Sequence, residues 1–159
     1  MNALPDMARL CREASQALGL DDVNALAQGH TVEIDGVLVA LHHGEGLSWP
    51  VVVAEIGAAA PDQALDVYRR LLQVQLMSAD QTDLRFGLNP FRDTVVLSQT
   101  VRLGPGAAQA AALAAIVKAT AAQAGEWRDS LLVGGAHEAF DDAPDAAHGP
   151  DPLCHALRA

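Results

Sequence analysis

Between Pro61 and Leu103 the sequence carries one amphipathic helix followed by two short strands, and the helix is apolar over more of its girth than one contact face requires. Pro61 and Asp62 suit a first helical turn, where proline lacks only a donor that would go unpaired and a carboxylate meets the positive end of the helix dipole. The helix reads from Gln63 to Met77. At 100° per residue, Leu65, Tyr68, Leu72 and Leu76 form one stripe, and Ala64, Val67, Leu71 and Val74 form a second beside it. Asp62, Asp66, Arg69, Arg70 and Gln73 fill the remaining arc. A helix lying on one sheet needs an apolar arc of about 100°, and these stripes together span roughly twice that. Either another part of the chain or a second copy must cover the surplus, and in a domain this small the second copy is favoured.

After the helix, Leu84, Phe86 and Leu88 alternate with Arg85, Gly87 and Asn89. Beyond Pro90-Phe91-Arg92-Asp93, Val95, Leu97, Val101 and Leu103 alternate with Thr94, Val96, Ser98, Thr100 and Arg102. Period two predicts a half-buried antiparallel hairpin. A second hairpin is predicted from His30 to His42, with Asp35-Gly36 supplying the positive backbone angles of a tight turn. Its second strand, Val37 to Leu41, is apolar on both faces, as is Val51 to Ala54 up to Glu55. One face of an antiparallel sheet normally meets water, so a cover is required on the second face too. A helix of the same chain is the simpler cover, and a bound partner segment is the functional one.

Helical periodicity also marks Met1 to Leu18, stopped by Gly19, and an Ala-rich segment from Ala107 to Leu132. The order is α-β-β-β-α-β-β(-β)-α, an α+β fold with an antiparallel twisted sheet and three helices. We divide the chain into a domain over residues 1–133 and an acidic, proline-containing tail over 134–159 that is expected to be mobile.

No chemical constellation stands out. Gly46-Leu47-Ser48-Trp49-Pro50 approaches a nucleophile elbow, but proline replaces the closing glycine and the serine precedes a strand. His42 and His43 point to opposite faces of a strand and so do not chelate with Glu45. The tail's His137, Glu138, Asp141 and Asp142 lack the glycine and spacing of a calcium loop. Gly104-Pro105-Gly106 lacks the lysine and the donor of a phosphate loop. Glu55, Glu126, Arg128 and Asp129, charged residues in regular elements, read as solvated faces or helix pairs. Ten Lys and Arg against twenty Asp and Glu give a net charge of −10, which disfavours nucleic acid and anionic membranes. Cys11 and Cys154 form no CxxC pair, no secretory signal is visible, and no apolar run spans a bilayer, so a reducing cytoplasm is expected. Surplus apolar surface with acidic charge and no catalytic grouping points to a binding module, with neither metal nor cofactor.

The segment Leu65-Asp66-Val67-Tyr68-Arg69-Arg70-Leu71-Leu72-Gln73-Val74-Gln75-Leu76, the strands Phe86-Gly87-Leu88 and Val95-Val96-Leu97-Ser98-Gln99, and the closing Trp127-Arg128-Asp129-Ser130-Leu131 resemble the class I type III secretion chaperones of the CesT/Tir chaperone family. The resemblance covers Met1 to Leu132. It implies a small, acidic, cytosolic bacterial homodimer without ATPase activity, which holds the N-terminal region of a secreted effector in extended form, partly by adding a strand to its sheet. It also implies dimerisation through the middle helix and its neighbouring strand. The Ala-rich last helix and the long Asp/Pro-rich tail depart from the family pattern.

On this reading Leu65, Tyr68, Leu71, Leu72, Val74 and Leu76 serve core and dimer interface, with the two stripes not yet assigned. Leu4, Met7, Leu10, Cys11, Val37, Val39, Leu41, Val51 and Val53 are expected to line the effector surface. The alternative is a small-ligand-binding or regulatory α+β domain on the same scaffold, with a pocket near His42 or Glu55.

Overall fold

The computed structural model describes residues 6–44, 47–78, 83–104 and 108–132 of the 159. Leu4, Glu45 and the expected tail lie outside the described residues.

Asp35 and Gly36 both take positive φ, 50° and 78°, as a two-residue hairpin turn with the twist of its strands demands. They join β1 (Val32–Ile34) to β2 (Val37–His42), and β3 (Val51–Gly57) pairs antiparallel with β2. After α2 (Ala64–Met77) come β4 (Leu84–Asn89) and β5 (Thr94–Thr100). Among the described residues these five strands form one sheet in the order β1-β2-β3-β5-β4, with antiparallel pairing throughout. The chain therefore crosses over through α2 to start the far edge, and β4 returns inward to β5. The remaining helices are α1 (Met7–Ala17) and α3 (Gln109–Leu131). This is the expected α+β architecture.

Small boundary shifts have local causes. Asp6 caps α1 by accepting from the Arg9 amide at 3.1 Å, so that helix starts at Met7. Pro61 and Asp62 lie in a turn ahead of α2, where Gln63 N–H donates to Ala60 O at 2.9 Å. β5 ends at Thr100, although Val101 remains buried and its amide donates to Pro50 O at 2.8 Å.

Strand register assigns the two faces of the sheet. Val39 sits opposite Ala54, Ala54 opposite Leu97, and Leu97 opposite Phe86, so these side chains share one face with Val37, Leu41 and Val52. α3 covers that face: Thr120 donates to Gln99 Oε1 at 2.8 Å, and Trp127 meets Phe86 edge-on with ring centroids 5.2 Å apart. The alanines of α3 allow close approach, and its buried Leu113, Ala114, Val117, Ala121 and Ala124 join Leu10, Cys11 and Ala14 of α1 in one core with the strands.

Arg128 ties the end of α3 to the sheet, which corrects its reading as a solvated charge. A β-bulge between Glu55 and Gly57 shifts the β3–β5 register, and the Arg128 guanidinium donates to Ile56 O at 2.6 Å, Glu55 O at 3.0 Å and Gly36 O at 3.2 Å. A guanidinium fork suits this task because its donors are planar and permanently charged. Gly57 has φ +139°, and a Cβ there would come within 2.9 Å of Leu132 Cδ1, so the bulge needs glycine on both counts.

Candidate functional site

The two stripes of α2 have different fates. Val67 and Leu71 are buried in the common core, with Tyr68 and Val74 half-buried beside them. Leu65 and Leu72 are each 68% exposed, and Leu76 and Met77 each 78% exposed. The reason is placement: among the described residues α2 packs against β4, a strand at the edge of the sheet, along one side. Gln75 seals this contact by accepting the outward-facing Phe86 amide at 2.7 Å, a donor that an edge strand would otherwise leave to water. Between helix and hairpin runs a shallow apolar groove of about 180 Å³, walled by Tyr68, Leu71 and Leu72 on one side and Phe86, Leu88 and Val95 on the other. Leu88 is half exposed, and Phe91, in the turn from β4 to β5, is 95% exposed.

A second uncovered surface is the sheet face turned away from α3. Ala40, Val53 and Ser98 lie side by side across β2, β3 and β5, with Val51 opposite Thr100 and Val96 opposite Glu55. By the same alternation Leu38 belongs to this face. Leu38, Ala40, Val51, Val53 and Val96 are each half-buried, an apolar strip with no helix over it among the described residues. At one end the Glu55 carboxylate accepts from Thr94 Oγ1 at 3.2 Å and pairs with Arg92 Nε at 3.4 Å. Glu55 is thus a half-buried, partnered charge and not the solvated one expected.

Of the residues expected to line an effector surface, Val51 and Val53 are on this free face and Met7 is half-buried at the start of α1. Leu10, Cys11, Val37, Val39 and Leu41 are not at a surface: all are at most 3% exposed and form the core beneath α1 and α3. Strand alternation explains the error in β2, where the residues available to a partner are the even-numbered Leu38 and Ala40. Burial also pushes the Cys11 thiol up to about 11, partly opposed by Arg12, and makes it a packing group instead of a nucleophile.

Sequence reasoning does not single out Leu88 and Met77, which adjoin the exposed stripe of α2, or Phe91 in the turn after β4. For Phe91 a signal exists, since a large aromatic in a proline-led turn has no periodic reason to be there. His43 Nε2 lies 3.0 Å from Ala27 O, so that ring is a structural tie. Among the described residues no three His, Cys, Asp or Glu side chains converge as metal ligands.

Two apolar surfaces thus stand open on an α-β-β-β-α-β-β-α order of elements among the described residues. The model of the Tir chaperone protein (CesT) family matches residues 9–128. The chain belongs to that family. The match runs from α1 to near the end of α3, so this CesT-family chain carries the family fold across every described element. No curated protein matches it. Among solved structures, a chain from the crystal structure of the ExsC-ExsE complex is similar with a TM-score of 0.59 and 21% identity, covering 84% of this chain and 99% of that one. At that identity the likeness is one of fold. No helix among the described residues is long and apolar enough to cross a membrane.

Proposed function

We propose that this CesT-family protein is a cytoplasmic type III secretion chaperone that binds the N-terminal region of a secreted effector as a homodimer and keeps it competent for export. Family membership supports the chaperone role, and the similar fold was solved as a complex of two named proteins, ExsC with ExsE, which supports a protein partner here. The observation that carries the reading is the division of apolar surface. One set, Leu65, Leu72 and Leu76, lies on α2, and a separate set, Leu38, Ala40, Val51, Val53 and Val96, lies on the free sheet face. We read the two sets, one on a helix and one on strands, as the seats of two occupants.

We assign the α2 set to the second copy of the chain. An exposed leucine stripe on a helix that is self-complementary about a two-fold axis makes an isologous interface. We assign the sheet face to the effector. An extended segment crosses the strip with its apolar side chains, and a further stretch of it pairs its backbone along the exposed edge of β1, a strand of three residues. The work done is burial: covering apolar area at about 25 cal/mol per Å² must exceed the roughly 2–5 kcal/mol or more of ordering a disordered segment. A long wrapped segment meets that requirement, and the reaction is binding, not catalysis.

Co-expression with the product of an adjacent effector gene tests this. The complex should survive gel filtration, and removing about the first hundred residues of the effector, the span needed to wrap such a surface in extended form, should abolish it. An effector retained through its C-terminal part would contradict the proposal.

A further inference from the structure

The turn between β4 and β5 is built to hold an aromatic side chain away from its own subunit. Pro90 restricts its first residue, Asn89 Oδ1 accepts the Phe91 amide at 3.0 Å, Asp93 takes a left-handed φ of 51°, and Arg92 is tied back to Glu55 at 3.4 Å. Four local constraints thus fix a turn whose central side chain, Phe91, touches almost nothing and is 95% exposed. A phenyl ring presented in this way is an anchor without a socket. Its own subunit has a socket of suitable character close by but leaves it open: the apolar groove of about 180 Å³ between α2 and β4, walled by Tyr68, Leu72, Leu88 and Val95. Leu88 and Val95 are directly paired in the ladder one step before the turn, so ring and groove sit at the same end of the hairpin. The ring does not fold back to fill it.

We propose that Phe91 of each protomer inserts into the α2–β4 groove of the other, a reciprocal anchor that locks the dimer. This rests on the homodimer reading and deepens it. The occupant is a second copy because the groove shares Leu72 with the helix stripe assigned to the dimer, so groove and stripe adjoin. Two-fold symmetry then makes every anchor reciprocal: where one protomer's ring meets the other's groove, the reverse contact follows. An open apolar groove and an unfilled aromatic on one surface satisfy each other in a closed pair across such an axis.

The test uses full-length protein and two variants, Phe91→Ala, which removes the anchor, and Leu88→Trp, which blocks the groove from within. Because each dimer loses two anchors, Phe91→Ala should raise the dimer dissociation constant by about a hundredfold or more, read by light scattering across a dilution series. Leu88→Trp should weaken self-association similarly. Mixed in equal amounts at a concentration where each alone is monomeric, the two should form a heterodimer, since that pair retains one intact anchor and one open groove. Circular dichroism of Phe91→Ala should match the parent, because the lost side chain makes almost no contact within its subunit.

A Phe91→Ala dimer as tight as the parent overturns the proposal while leaving the homodimer in place. Loss of effector binding in that variant, with self-association unchanged, overturns it too and assigns the ring to the effector. Failure of the two weakened variants to pair also overturns it. A monomeric parent protein removes the homodimer reading and this inference together.

Discussion

Arg128 shows how far a single side chain can reach in this fold. Its three carbonyl acceptors lie 72, 73 and 92 positions away in sequence, which is why its neighbours along the chain suggest only a solvated charge. Arg128→Ala should cost about 2–3 kcal/mol in urea unfolding, because it leaves half-buried carbonyls at a bulge without donors. Arg128→Lys should recover only part of this, since an ammonium does not reproduce the fork. Gly57→Ala should destabilise by about 1–3 kcal/mol through its positive φ and the clash with Leu132. Cys11 makes a pH prediction. Burial holds its thiol neutral with a pKa of about 11, against 9.0 when solvated. The folded state keeps a proton that the unfolded chain gives up, so its contribution is intact below pH 9 and is lost as pH rises toward 11. Unfolding free energy measured across that window should fall by something on the order of 2–3 kcal/mol more than in Cys11→Ala.

At the scale of elements, legibility depends on whether the signal is local. The Asp35-Gly36 hairpin can be read from two residues, because the turn dictates both backbone angles. The double stripe of α2 is visible too, but periodicity carries no information about which stripe meets β4, and that choice depends on the crossover from β3. β2 has the same ambiguity, as Val37 to Leu41 is apolar on both faces and only the packing of α3 decides that Val37, Val39 and Leu41 are core. Two substitutions on adjacent residues of α2 exploit the difference. Leu71→Ala, at a site 5% exposed, should cost about 2–5 kcal/mol at any protein concentration. Leu72→Ala, at a site 68% exposed, should leave the subunit fold intact and weaken self-association, so that its thermal midpoint falls below the parent's most at low protein concentration. On the sheet, Val53→Asp should weaken effector capture while self-association stays unchanged, which isothermal titration against the effector's N-terminal segment and light scattering together can read.

For the whole molecule, the fold is recoverable from element order and the family resemblance, whereas the division of its surface is not. Among the described residues, one subunit buries a common core under α1 and α3 and covers α2 along one side. The net charge of −10 accompanies that exposed leucine surface, so self-association must overcome like-charge repulsion and should tighten with added salt, the reverse of an ion-pair interface. Everything proposed for function rests on the exposed α2 stripe being an interface between copies. Sedimentation equilibrium of the full chain, without effector, at micromolar concentration reads this without any other assumption. A mass near twice 16.6 kDa, falling to the single value in Leu72→Glu, is the expected result, whereas a parent protein stably folded at 16.6 kDa would contradict the dimer and the division of surface built on it.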